Sequence, residues 1–534
     1  MMKIKYLLLF VICILHLPAF AQLQNVNVSN DVLFDGEPFL AVNPTNAQNM
    51  VIAWMGVTIT GGIRISIKSK ATFDGGQTWG NYVVHPHYTP TCGSADVSMS
   101  FRNDGTLYMS YIDFNQAADS GVIYLSTSAD GGKTWTSPVV AWNIKEDAAK
   151  DPIDRPWLVA DNSGTANNGM LYITTKPAYW IPPPNRPYLK TSSDSGQTWS
   201  AYRYVDSMGY LVGGIIVQPM GAPAVTADGA LCIAYPSYDL AQSIYTKIFL
   251  AKSYNRGAGF QYYQVISNPV AVQDTNYKLG YRLAANPANA SQLAFAAVGA
   301  QYGDPDIFVY TTNDGGQTWG NAVRVNDDSI GNGKAQDMVW ISYNESGDLA
   351  AVWRDRRNGA DTGFFQASDT YCAVSHDNGA TFSKNFPLTT VTAPFDSVLL
   401  DKGNDFMCNH LIGDSISAAW GDVRSGKLNI YFAKTSDSTG QATGIISVNT
   451  EDSFDFEVYP NPATNTLTVK LPFSVYGLQL TLKLTDAIGK LIHEEKIQTD
   501  KTTLDVHNLA KGTYFISFEG DGVSLGKKVV KVNK

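Results

Sequence analysis

The chain has 534 residues, 44% of them hydrophobic and 12% aromatic, with 46 glycines and a formal net charge of −9. This length exceeds one ordinary domain, and the acidic balance argues against nucleic acid as a partner, although a local cluster of arginines can still take an anionic ligand. The five cysteines and seven histidines show no metal-ligand spacing, so neither a metal centre nor a cofactor is expected.

Met1 to Ala21 reads as a secretory signal: Lys3 and Lys5, an apolar run, then Ala19-Phe20-Ala21 before Gln22. From there to about residue 445 one turn signature recurs. TFDGGQTW surrounds Asp74, SADGGKTW Asp130, SSDSGQTW Asp194, TNDGGQTW Asp314 and SHDNGATF Asp377, with a worn copy at Asn255 and a vestige at Asp437. The intervals are 56, 64, 61, 59, 63 and 60 residues, so one supersecondary unit is repeated. In each copy the Asp carboxylate accepts N–H groups of its own turn, the glycines supply positive φ, and the aromatic residue folds back as an anchor. These aspartates are structural.

The units between signatures parse as four short strands each, such as ADVSMSF, TLYMSYI, VIYLSTS and SPVVAW in the second. Four-stranded antiparallel units repeated around an axis make a β-propeller. The expected fold is all-β: a seven-bladed propeller, with six blades as the alternative, followed by a small C-terminal β-sandwich. The seventh unit has only three strands, so Asn25 to Asp31 is expected to pair with the strand around Leu428 to Lys434 and close the ring.

In such a meander the signature turns share one face, and long loops rich in charge and aromatics fall on the other, where a site is expected. NIKEDAAKDPIDRP carries Asp154 and Arg155. VWRDRRN (Val352–Asn358) carries Arg354, Asp355 and Arg357, and AWGDVRSG (Ala419–Gly426) carries Asp422 and Arg424. Guanidinium forks bind carboxylate or sulfate, and a neighbouring Asp orients the fork or works as acid or base. Asp154, Asp355 and Asp422 are therefore the candidate catalytic groups, with Arg155, Arg354, Arg357 and Arg424 on the substrate. A structural Arg–Asp lock is the open alternative for the two repeated stretches. Trp180, in AYWIPPPNRPY, is suited to stacking on a sugar ring, and His87 completes the candidate binding set. Cys92 and Cys408 are placed in loops of this face, where pairing is open, while Cys232 and Cys372 fall in apolar strands.

The repeats and the entry stretch EPFLAVNPTNAQNMVIAW resemble the BNR/Asp-box, sialidase-like superfamily across about Asn25 to Gly440. The resemblance implies a carbohydrate-directed protein. The family's R-I-P motif is absent before the first box, where only Arg64 occurs, and the glutamates between Gln22 and Gly440 are Glu37, Glu146 and Glu345. Three readings follow: a glycoside hydrolase on an anionic glycan; a lyase on a uronate polymer, with His85, His87, Tyr88 or His410 as base; and a non-catalytic glycan binder. A monomer is expected.

YPNPATNTLTV, the turn Asp486 to Lys490 and L-x-x-G-x-Y at Leu509 to Tyr514 resemble the C-terminal sorting domain of type IX secretion substrates. This resemblance implies engagement of outer-membrane secretion machinery and delivery to the outside or surface of a Gram-negative cell. The expected boundaries are signal 1–21, propeller 22–445, linker 446–453 and sorting domain 454–534.

Overall fold

The computed structural model describes residues 25–436 and 456–532, apart from internal stretches of which 207–219, 238–246, 396–402 and 471–480 are the longest. The signal, the linker and Asp437 lie outside the described residues. Among those described, every regular element is a strand.

Residues 26–436 form seven four-stranded antiparallel sheets, six of them continuous in sequence. The first strand of each unit is innermost: Asp35–Val42, Cys92–Phe101, Ile153–Ala160, Ala222–Val225, Tyr281–Ala285, Gln336–Tyr343 and Cys408–Ile412. Each touches the next and the last touches the first, so the seven make a closed cycle, the arrangement of a β-propeller. Central strands such as Leu231–Ser237 and Asp369–Ser375 are buried at every position. Their apolar stretches, LCIAY and YCAV, follow from this, since both faces of a sheet are covered by its neighbours.

The seventh sheet takes its outer strand from the other end of the chain. Val26 pairs with Phe432 and Asn27 with Tyr431, and the Val28 amide donates to the Ile430 carbonyl at 2.8 Å. Asn429 Oδ1 accepts from the Asp31 amide at 2.9 Å and from Ser29 Oγ at 3.1 Å. Asp31 in turn takes the Lys68 ammonium at 2.7 Å, joining this closure to the first sheet.

The signature turns lie at one end of the sheets. At Asp74, Thr72 Oγ1 donates to Oδ1 at 2.7 Å, the Thr78 amide to Oδ1 at 2.9 Å and Thr78 Oγ1 to Oδ2 at 2.5 Å. Equivalent bonds hold Asp130, Asp194, Asp314 and Asp377. The worn copy keeps half the pattern: Asn255 Oδ1 accepts from the Gly259 amide at 2.9 Å. The glycine two residues after each box Asp or Asn lies against the preceding sheet. A Cβ on Gly132 would sit 2.4 Å from Val51, and one on Gly196 2.0 Å from Leu125. Gly76 stands in the same way against Phe432, so the boxes staple each sheet to the one before it around the closure as well.

Cys92 and Cys408 open strands instead of lying in loops, and all four described cysteines are buried and free. The Cys408 thiol points at the Leu40 carbonyl, 3.4 Å away, and Cys92 lies against Thr89 and the Ser120 carbonyl.

Residues 456–532 make a three-stranded and a four-stranded sheet over a shared core that includes Phe456, Leu467, Leu482, Ile516 and Phe518.

Candidate functional site

Four innermost strands share one irregularity near their entry, at the end opposite the boxes. Their pairing register shifts between Gly36 and Phe39, Ala95 and Ser98, Asp154 and Trp157, and Asp337 and Trp340. Within each shift one residue takes left-handed backbone: Glu37 at φ 53°, Asp96 at 53°, Arg155 at 55° and Met338 at 59°. A bulge re-aims a side chain, and a non-glycine residue held at positive φ costs about 1 kcal/mol or more, a strain that collects at functional sites. Here three of the four strained residues are ionisable, and they converge at the channel mouth.

Arg155 is the hub. Its Nη2 donates to Asp405 Oδ2, and its Nε lies 3.7 Å from Asp96 Oδ1. Lys278 Nζ holds the other oxygen of Asp405 at 2.7 Å, and Lys176 Nζ holds Asp154 Oδ2 at 2.6 Å. Asp154 shares a hydrogen bond with Asp96.

Charge is divided unevenly among these acids. Burial, and then the charge of Asp405, pushes Glu37 up to about 8. Burial and the charge of Asp154 push Asp96 well above the carboxylate range. Burial works against Asp154 too, but Lys176 and Arg155 outweigh it and hold the carboxyl at about 2. Asp405 is likewise held low, Arg155 and Lys278 overcoming its burial. At neutral pH two protonated acids therefore stand beside two carboxylates and three cations, an arrangement ready both to give a proton and to hold an anion.

Beneath the charges the channel is closed by rings. Trp157 and Trp340 lie 5.3 Å apart, with Phe39 at 5.8 and 5.6 Å from them and Phe406 at 5.4 Å from Trp157. The Arg282 guanidinium sits 4.3 Å over Trp340, its pKa lowered by burial to about 10. Asp96, Val97, Ser98, Arg155, Pro156, Trp157 and Phe406 line a tight cleft at this level.

Of the residues singled out from sequence, the structure brings together Asp154 and Arg155. Asp355 and Asp422 belong to two separate clusters of identical design. Asp355 accepts from Trp353 Nε1 at 2.7 Å and from the amide and Nη2 of Arg357, each at 2.8 Å. Asp422 accepts from Trp420 Nε1 at 3.0 Å, the Arg424 amide at 2.8 Å and Arg424 Nη2 at 2.5 Å. The two guanidinium groups lie 4.2 and 4.7 Å over Tyr371 and Tyr431 of their own sheets. Arg354 grips Asp337 through Nε at 2.7 Å and Nη2 at 2.6 Å.

His87, in the loop between the first and second sheets, bridges them: Nδ1 meets Asp113 of the second sheet at 2.7 Å and Nε2 meets Ser66 Oγ of the first at 2.9 Å. His85 and His410 are enclosed, and burial lowers them to about 3 and about 4, so each is neutral and shielded, which suits neither to take a substrate proton. Trp180 is 49% exposed. Glu37, Asp96, Lys278 and Asp405 were missed by sequence reasoning. The signal that could have found Glu37 and Asp96 is the shared entry position of EPF, DVS, RPW and MVW in the innermost strands; Lys278 and Asp405, just before such strands, carry no such mark.

Glu37 gives the site a pH signature. Its folded pKa of about 8 exceeds its unfolded value, so its neutral form favours folding fully below the unfolded pKa and this contribution is lost as pH rises through about 8. Glu37→Gln is expected to match the native melting temperature near pH 4 and exceed it at pH 8 to 9. Parallel melting curves across that range would sink the assignment.

Residues 457–532 match the family model described as the secretion system C-terminal sorting domain. The tail is a sorting domain. It directs the chain through type IX secretion to the cell surface or the extracellular space. Deleting 454–534 is expected to leave the propeller folded and to abolish surface delivery; normal delivery of the truncated chain in a host with this machinery would count against that role.

No curated protein matches the chain. Among solved structures, a protein of unknown function from Dyadobacter fermentans is 12% identical, covers 65% of this chain and 96% of its own, and has a TM-score of 0.43. The intramolecular trans-sialidase of Ruminococcus gnavus is 11% identical over 77% and 96%, at 0.40. A copper-bound fungal alcohol oxidase is 11% identical over 93% and 99%, at 0.43. At this level the neighbours do not single out a chemistry for this chain.

Proposed function

We propose that residues 22–445 form a seven-bladed β-propeller followed by a small β-sandwich, and that the secreted protein is a monomeric glycoside hydrolase acting on an anionic glycan at or beyond the cell surface. The observation that carries this reading is the pairing, around one Arg155 guanidinium, of a protonated Asp96 with an ionised Asp405.

Glycoside hydrolysis needs an acid for the departing oxygen and a carboxylate for the anomeric carbon or its water, about 5 to 9.5 Å apart. Asp96 and Asp154 share one hydrogen bond and are too close to face each other across a sugar. They act as one unit, in which the ionised Asp154, anchored by Lys176, accepts the hydrogen bond of the Asp96 carboxyl and its negative charge keeps Asp96 protonated. Asp405 contacts the same guanidinium through a different nitrogen, Nη2 instead of Nε, which makes it the candidate second carboxylate. In the reaction the Asp96 proton passes to the glycosidic oxygen as its bond to the anomeric carbon breaks. Asp405 either bonds that carbon or deprotonates the water that attacks it, and retention or inversion at the anomeric centre tells which. Arg155 and Lys278 supply the positive field for an acidic sugar.

A non-catalytic glycan binder is the second reading, favoured by the fact that Arg155 and Lys278 are already paired with Asp405. Incubating the secreted protein with sialylated, sulfated and uronate glycans separates the readings. New reducing ends support hydrolysis, unsaturated product indicates a lyase, and binding without product indicates a binder.

A further inference from the structure

Beside the charged cleft, on the same end of the propeller, stands an aromatic group that the proposed chemistry does not use. Phe365 is 56% exposed although it sits among rings: Phe395 at 5.3 Å, nearly perpendicular, and Phe364 at 5.8 Å. Phe364 is fixed from below. It is 2% exposed, with the Arg356 guanidinium 4.5 Å from its ring and Tyr277 edge-on at 5.4 Å.

The support leads back to the cleft. Arg356 donates to Asp337 at 3.1 Å, and Asp337, at the entry bulge of its strand, accepts the Lys278 amide at 3.1 Å. Lys278 follows Tyr277 in sequence, and its ammonium is one of the two cations on Asp405. The rings are therefore held by the framework that holds the charged site, at a fixed offset from it. An exposed phenyl ring packed rigidly against a second ring loses little entropy when a flat apolar surface covers it. The C–H face of a pyranose is such a surface, and a charged cleft next to it selects a glycan over a lipid or an apolar peptide.

We infer that Phe365 and Phe395 form a stacking subsite for a sugar ring of the glycan chain whose acidic residue occupies the Arg155 cleft. This rests on the glycan-directed reading above but not on hydrolysis. The subsite makes the protein selective for oligosaccharides over monosaccharides, because only a chain spans both places.

The test is calorimetric titration of the full secreted protein with trigalacturonate, 3′-sialyllactose and a sulfated N-acetyllactosamine trisaccharide, each beside its terminal monosaccharide, using the native chain, Phe365→Ala and Phe365→Trp. For the trisaccharide that binds, Phe365→Ala is expected to weaken affinity about tenfold, the scale of a truncated aromatic contact. The monosaccharide should bind both forms equally, and Phe365→Trp should keep the native affinity. Native binding to none of the three trisaccharides, an unchanged affinity in Phe365→Ala, or an equal loss for monosaccharide and trisaccharide each overturns the subsite. Hydrolysis that persists beside a neutral Phe365→Ala would leave the proposed activity standing while the subsite falls. Trisaccharide binding lost in Phe365→Ala, with no product from the native chain, would do the reverse.

Discussion

Asp96→Asn is expected to lower turnover on a cleaved glycan by about 10²- to 10⁴-fold, the usual contribution of a positioned acid. The amide keeps the size of the carboxyl and still donates to Asp154, so melting temperature and KM should stay near native while kcat falls. The native acid is pushed well above the carboxylate range by burial and by the charge of Asp154, so activity should decline as pH rises and Asp96 loses its proton. Unchanged kcat in this variant would remove Asp96 from the reaction. Asp405→Asn should show a loss of similar size, and a loss confined to KM would reassign Asp405 to holding the substrate.

Asp337→Ala is expected to cost about 3–5 kcal/mol of stability, because it strands buried guanidinium groups without their counter-ion. Arg354 grips this carboxylate through two nitrogens and Arg356 through a third contact at 3.1 Å. Although burial pushes its pKa up, Arg354 and Arg356 hold it far below the ordinary range. A depressed acid stabilises the fold above its unfolded pKa, and that stability is lost as pH falls through the folded value, so it is intact at neutral pH. Urea unfolding at pH 7 measures the difference, and a midpoint within error of native would refute the role. Arg354→Ala and Arg424→Ala should likewise melt earlier while binding sugar normally per folded molecule. Weakened binding by a fully folded variant would instead restore these arginines to the site.

The architecture was legible because it is written in turn chemistry. Aspartates at a step of about sixty residues report a repeated unit wherever they stand, and a three-stranded last unit beside a spare strand at Asn25 implies the pairing of Val26 with Phe432. The site was only half legible. Asp154 and Arg155 were visible as a charged pair in a long loop, yet the innermost strand begins at Ile153 and the pair lies on its bulge. Glu37 and Asp96 carry only the faint shared entry position of EPF and DVS, because a register shift depends on the partner strand and leaves little mark in composition. Asp355 and Asp422 drew attention through their arginines and tryptophans. Those neighbours turn out to consume their lone pairs, something a motif cannot reveal without the third dimension.

The staple glycines and the borrowed outer strand together set an order of events for a protein that must cross membranes. Gly132 and Gly196 reach backwards, onto Val51 and Leu125, so each newly emerged repeat can consolidate only what precedes it. Gly76 and Val26 are different, because both wait for Phe432, near the far end of the propeller. A chain delivered from its N-terminus therefore holds its first repeat unfinished until the seventh has arrived. Contacts between such distant residues form late, after the entropy of closing a long loop has been met. The sorting domain, 457–532, lies beyond the seventh sheet in the sequence, so in a chain delivered in this direction every strand of the ring precedes the segment that directs export.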